Sequence, residues 1–343
     1  MEFVVADFLG WPVWLWLAFV GLVIALLAFD LGVLHRKEHE IGVAESLLTS
    51  ALYIGVGVAF SGVVYWLYGQ SAPANGLDPQ LMIADDAKRA WLATELYLTG
   101  FILEKTLALD NIFVISLIFT YFAIPRLYQH RVLFWGIIGV IVLRALMIGV
   151  GAVLVAQFSW ILYVFSLFLI WTGVMMLRKQ HAPDLSKNPV VGFLRRWLRV
   201  TDAPEGHNFF VRKPDASTGK VVLWATPLFL ALVMIELADL VFAIDSVPAI
   251  FAITSDPFIV YTSNIFAILG LRALYFALAA AVHRFRYLKP ALALVLVFIG
   301  SKILVADLAG WEKFPASLSL AITLALLGGG VVLSLRQRRP AGG

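Results

Sequence analysis

The sequence predicts an all-α polytopic membrane protein with about nine transmembrane helices and an inverted repeat of three-helix units. Three observations predict it: a strongly apolar composition, nine apolar runs of bilayer length, and an acid-bearing motif that recurs in the third and sixth runs. Of the 343 residues, 61% are hydrophobic and 14% charged, and the mean hydropathy is +0.90. An average soluble domain carries roughly 25% charged residues. Too little polar surface is available to cover a soluble core, so the chain is better divided by the ~20 apolar residues that each bilayer crossing needs. There is no cysteine, which removes disulfides, thiolate metal sites and cysteine nucleophiles and leaves oxygen or imidazole as metal ligands. The net charge of +4 lies in short clusters between apolar runs, the distribution of topology determinants and not of a nucleic-acid-binding face.

Taken in order, the runs fall at 12–34, 43–68, 90–120, 131–156, 159–177, 223–250, 257–281, 288–306 and 315–335. Glu2 and Asp7 precede the first run without a basic segment, so the N-terminus reads as retained and not as a cleavable signal. Linkers holding Arg36 and Lys37, Arg126 and Arg131, the segment 178–222, Arg284, Arg286 and Lys289, and the tail with Arg336, Arg338 and Arg339 all fall on one side. The opposite linkers hold few basic residues: none near Gln157 or Thr254, Lys313 in one, and Lys88 and Arg89 offset by Asp78, Asp85 and Asp86 in another. The positive-inside rule then places the N-terminus outside and the C-terminus in the cytoplasm of the inner (plasma) membrane.

The expected organisation is two peripheral spans and an external loop in 1–89, a first three-helix repeat in 90–177, and a cytoplasmic loop in 178–222. A second, inverted repeat follows in 223–306, and 307–343 holds the last span and a basic tail. Within the loop, 190–199 mixes Phe193 and Trp197 with Arg195, Arg196 and Arg199, the composition of a helix lying among lipid headgroups. The stretches 208–213 and 220–223 flank Asp-Ala-Ser-Thr-Gly and read as a short β-hairpin.

The repeat is visible residue by residue. Glu104-Lys-Thr-Leu-Ala-Leu-Asp110-Asn111 in the third run answers Asp239-Leu-Val-Phe-Ala-Ile-Asp245-Ser246 in the sixth. The next run of each half carries one arginine in similar surroundings, Leu143-Arg144-Ala145-Leu146 and Leu271-Arg272-Ala273-Leu274, and the one after that carries Gly173 or Gly300. Because the third and sixth runs cross in opposite directions, the two halves are inverted copies. Transporters of that design place substrate near the bilayer midplane where the repeats meet.

A charge at a helix centre costs about 2.5–3.5 kcal/mol on insertion scales, so embedded acids need partners or a wet cavity. Glu104, Asp110, Glu236, Asp239 and Asp245 are such acids. On an ideal helix Glu104 shares a face with Asn111, and Asp239 with Ser246, whereas Asp110 and Asp245 point elsewhere unless the helix unwinds. Pro248 offers a place for unwinding, since its ring clashes with the Ile244 carbonyl and frees it as an oxygen ligand. Carboxylates, an amide, a hydroxyl and a carbonyl suit Mn²⁺, Mg²⁺ or Ca²⁺ better than Zn²⁺ or Cu⁺. Lys105, Arg144 and Arg272 are the expected structural counter-ions. Asp30 sits beside His35, Arg36 and Lys37 and reads as an interfacial pair. No nucleophile triad or nucleotide-binding motif is present, so nothing argues for an enzyme, and no tightly bound cofactor is expected.

Three strings carry a family resemblance: Leu98 to Asn111, Glu236 to Ala252, and Thr262-Ser-Asn-Ile-Phe-Ala-Ile-Leu-Gly-Leu-Arg272. Over roughly 20–306 the chain resembles the TerC family of integral membrane proteins, nearest its Alx-like manganese-exporter branch. That resemblance implies Mn²⁺ as transported substrate, export from the cytoplasm, and the acidic signatures on Glu104, Asp110, Asn111, Glu236, Asp239, Asp245 and Ser246. The residues by themselves reach only a hard divalent cation, which leaves Ca²⁺ and Mg²⁺ open. The other alternative is a scaffold for membrane-protein assembly, an activity suggested for some relatives of the family. Tellurite, which the family name evokes, is a poor cargo because an anion would meet five embedded carboxylates.

Overall fold

In the computed structural model of the chain, the described residues are 6–30, 42–74, 78–158, 160–178, 189–214, 220–278, 287–310 and 314–336; the side chains of Leu109, Asp110, Pro189, Val190, Arg195 and Leu335 lie outside the description. A two-residue ribbon, β1 (Asp7–Phe8) against β2 (Trp11–Pro12), leads into α1 (Val13–Phe29) and α2 (Val43–Gln70). The first repeat is α3 (Asp86–Tyr121), α4 (Arg126–Gln157) and α5 (Ile161–Arg178). Between the repeats lie α6 (Pro189–Trp197) and a hairpin of β3 (Phe210–Pro214) antiparallel to β4 (Val221–Ala225). The second repeat is α7 (Pro227–Phe251), the divided helix α8 (Pro257–Ile268) and α9 (Leu271–Leu278), and α10 (Leu288–Leu308); α11 (Ala316–Arg336) closes the chain.

Seven of the described helical segments are long and apolar enough to cross a membrane: α2, α4, α5, α7, α8 with α9, α10 and α11. The remaining two expected spans are α1, short at 17 residues, and α3, a 36-residue helix that carries Glu104, Lys105 and Asp110. Two of the helices begin at side-chain caps. The Asp85 carboxylate accepts from the Lys88 N–H at the start of α3, and Asp256 does the same for Ile259 at the start of α8, where Pro257 occupies the first helical position. These devices satisfy N–H groups that the first turn leaves without partners. The hairpin and the helix around residues 190–199 form as their sequences predict; on α6, Val191 is buried while Phe193 and Trp197 are exposed and pack ring to ring at 5.5 Å.

Inversion is visible in the contacts. A Cβ on Gly173 would lie 2.7 Å from the Ala293 carbonyl, and one on Gly300 would lie 2.6 Å from the Ser166 carbonyl. Helices α5 and α10 therefore cross antiparallel, each presenting its glycine to the other's backbone, the close approach that small residues permit between helices in lipid. Helix α3 passes α7 antiparallel as well, with Asn111 against Asp239 and Gly100 against Ile250. Each repeat's first helix then runs parallel to the other repeat's second: α3 beside α8, with Gly100 at Ser263, and α7 beside α4, with Gly136 at Ile235 and Gly151 at Phe251.

Of the seven apolar spans, α8–α9 is the most enclosed, with 94% of its most apolar 18-residue window buried. It breaks at Leu269 and Gly270, where Gly270 adopts φ +79°, a left-handed conformation that glycine takes without steric cost. This corrects the expectation of unwinding at Pro248. Helix α7 runs through Pro248 to Phe251, so the proline forgoes the bond that its N–H would make to the Ile244 carbonyl without dividing the helix. Tyr53 of α2 packs against Gly270, and Asp30 at the end of α1 pairs with Arg272 just after the break. Arg272 is thus a partner of Asp30 that its sequence neighbours do not suggest; the basic residues that follow Asp30, with which a pair is expected, lie outside the described residues. At the other end of the bundle, Asp78 accepts from the Thr254 hydroxyl (2.6 Å) and the Ser255 N–H (2.9 Å), and Tyr68 donates to Asp256 (2.7 Å), tying α2 and the loop before α3 to the start of α8.

Gly300→Val is expected to lower stability by about 1–3 kcal/mol, the cost of forcing side-chain atoms into a packed contact. Gly62→Val, in open space, is the control, and thermal unfolding of the purified protein reads both; equal midpoints would refute the crossing.

Candidate functional site

The centre of the bundle is a buried polar network around Arg144 of α4, which is 1% exposed. Its Nη1 donates to Glu104 of α3, to Ser246 Oγ of α7 at 2.8 Å and to Asn264 Oδ1 of α8 at 3.2 Å. On the far side, Nη2 and Nε donate to the two carboxylate oxygens of Asp239 on α7, at 3.3 and 3.4 Å. Asn111 of α3 donates to the same Asp239 at 3.3 Å. Glu104 beside Ser246, and Asp239 beside Asn111, are one arrangement seen twice, since each member of the first pair has its counterpart in the second by the repeat. The faces predicted from helical periodicity are those that meet: Glu104 and Asn111 from one helix, Asp239 and Ser246 from the other.

The other expected site residues lie around this network. Asp245 is half-buried and points off it, into a cavity of about 300 Å³ that Asn111, Arg144 and Ser246 also line. That cavity runs to Met176 near the end of α5 and Lys289 near the start of α10. Glu236, one turn before Asp239, lies against Gly139 of α4 so closely that a Cβ there would collide with its carboxylate. Its Oε2 is buried without a hydrogen-bond partner among the described residues. A buried carboxylate oxygen in that condition suits a proton or a cation. The backbone at Asp110 is helical, and its side chain lies outside the described residues. Among the described residues, no three Asp, Glu or His side chains assemble as a group that could hold a metal ion; Glu104 and Asp239 are instead bridged by the guanidinium.

Of the three expected counter-ions, Arg144 is salt-bridged to Glu104 and Asp239, and Arg272 to Asp30. Lys105 behaves differently: its ammonium donates to the carbonyls of Ala267 (2.9 Å) and Leu269 (3.0 Å). These are the carbonyls that the break in α8–α9 exposes, and a cation is favoured at a helix C-terminus. Asn264 is the member of the network that the residue reading missed. It is 0% exposed in a span without acids, and its sequence signals are a polar cluster, Thr262-Ser263-Asn264, inside an otherwise apolar span and its place in one of the strings that carry the family resemblance.

Apolar helices closed around a shielded charge network define an integral membrane protein of several spans. Residues 89–341 match the family described as "Integral membrane protein TerC family", and the chain belongs to it. It is 45% identical over 331 residues to an uncharacterized membrane protein of Myxococcus xanthus, covering 95% of this chain and 93% of the relative. A Rickettsia bellii membrane protein is 45% identical over 324 residues, 94% of this chain and 97% of the relative. The Escherichia coli K12 protein Alx, described as a candidate membrane-bound redox modulator, is 42% identical over 315 residues, 91% of each chain. No solved structure matches the chain.

Lys105→Met is expected to destabilise the protein by about 1–3 kcal/mol, because it leaves buried carbonyls without a donor. An unchanged unfolding midpoint would show that the ammonium does not cap the break.

Proposed function

We propose that the chain is an inner-membrane transporter that exports Mn²⁺ from the cytoplasm through a midplane site of embedded carboxylates. The observation that carries this reading is the meeting of Glu104 and Asp239, equivalent acids on oppositely directed helices, beside a cavity that also presents Asp245, Asn111 and Ser246. Embedded acids at a repeat interface mark ion pathways. An all-oxygen donor set favours hard divalent ions. The choice of Mn²⁺ and the outward direction rest on the family resemblance, and the sidedness rests on the distribution of basic linkers, which turns the end of the cavity at Lys289 toward the cytoplasm. A thiol-based redox role is closed to a chain without cysteine, whereas movement of a redox-active metal agrees with the donors present.

Asp245→Asn and Asp110→Asn are expected to reduce Mn²⁺ efflux from proteoliposomes to background while leaving the protein folded in the membrane. Wild-type flux in both variants rejects the site. Parallel flux measurements with Ca²⁺ and Mg²⁺ settle the cargo. A scaffold would instead keep its function in these variants and lose it when loop 178–222 is deleted. Single cysteines introduced into this cysteine-free chain should react with an impermeant maleimide from outside near Asp85 and fail to react in 178–222; the reverse pattern overturns the assigned sidedness.

A further inference from the structure

The repeat supplies two arginines, and the structure uses them unequally. Arg272, also buried, pairs with Asp30 at the end of α1, whereas Arg144 pairs with both central acids. One positive charge thus stands between two negative ones, in the position a shared cation would need. The hydrogen bonding is also uneven. Nη1 has two hydrogens and faces three acceptors, Glu104, Ser246 and Asn264, while the contacts to Asp239 are long at 3.3 and 3.4 Å. Arg144 borders the cavity of about 300 Å³, and a further carboxylate, Asp245, lines the same space.

We infer that Arg144 is a tethered competitor for the transported cation, holding Glu104 and Asp239 until a divalent ion displaces its guanidinium toward Asp245. The inference rests on the transport reading above. Its physical basis is that buried carboxylates without a counter-charge are strongly destabilising, and exchange between a tethered and a diffusible cation keeps the pair compensated throughout. It also selects by charge. A monovalent ion brings no more charge than the guanidinium it must replace, and it lacks the tether that keeps the guanidinium at the site. A divalent ion brings twice the charge. Release is built in as well, because the returning side chain expels the ion.

Two measurements on the full-length protein in nanodiscs test this, with MnCl₂ as the probe. In the wild type, mass spectrometry of phenylglyoxal modification should find Arg144 protected without Mn²⁺, modified several-fold faster with saturating Mn²⁺, and unaffected by matched NaCl. In Arg144→Gln, Mn²⁺ should bind at least about tenfold more tightly than in the wild type, while efflux per transporter falls because the competitor that drives release is gone. Mn²⁺ binding to the wild type with Arg144 still unreactive overturns the inference and leaves the transport reading intact, as does unchanged or weaker binding in a folded Arg144→Gln protein. Failure of the wild type to bind Mn²⁺ rejects the transport reading, and this inference with it. Should Arg144→Gln fail to fold, the wild-type modification experiment decides alone.

Discussion

The bundle is organised around one guanidinium held between two carboxylates where water is scarce. Charges in such surroundings interact strongly and tolerate little misplacement. Helices α3, α4, α7 and α8 each send at least one side chain to Arg144 or to its partners: Glu104 and Asn111, Arg144 itself, Asp239 and Ser246, and Asn264. In lipid, apolar faces gain little by turning toward one another rather than toward acyl chains, so directional contacts and close packing decide how helices are set. The Arg144 network supplies the directional part for those four helices. The glycine contacts of α5 with α10 supply the close packing for the third helix of each repeat.

The two halves are related by inversion, yet their chemistry has diverged. Glu104 with Ser246 and Asp239 with Asn111 keep the symmetry. Arg144 and Arg272 break it, one central and one facing α1. Lys105 and Gly270 break it again: the place of Lys105 in the second repeat is taken by Leu240, and the place of Gly270 in the first is taken by Val142. Only one repeat therefore has a divided middle helix, and only the other has the ammonium that holds the exposed carbonyls.

Much of this was legible in the residues. Apolar run lengths locate the helices, the doubled motif reveals the inversion, and a two-turn spacing picks out the four polar side chains that converge. These are local or periodic signals. The position of the break was not legible, because Pro248 is the stronger helix-breaker in isolation, yet α7 runs through it to Phe251. Gly270, a small residue where the other repeat has valine, was the overlooked signal. Charge partnerships were also hidden. Asp30 has basic neighbours in sequence and meets Arg272 in space, and nothing along the chain tells that one arginine would be shared by two acids while its counterpart pairs with Asp30.

The break at Gly270 makes the second repeat something other than a single lever. The half before it is fastened by Lys105 to α3, and the half after it is fastened through Arg272 to α1, with Tyr53 of α2 wedged at the gap. Leu269 and Gly270 therefore join two helical halves that are held by different helices. A side chain at Gly270 would meet Tyr53 at 2.6 Å and would have to adopt a left-handed conformation, so the seam between the two halves closes only around a residue that has none.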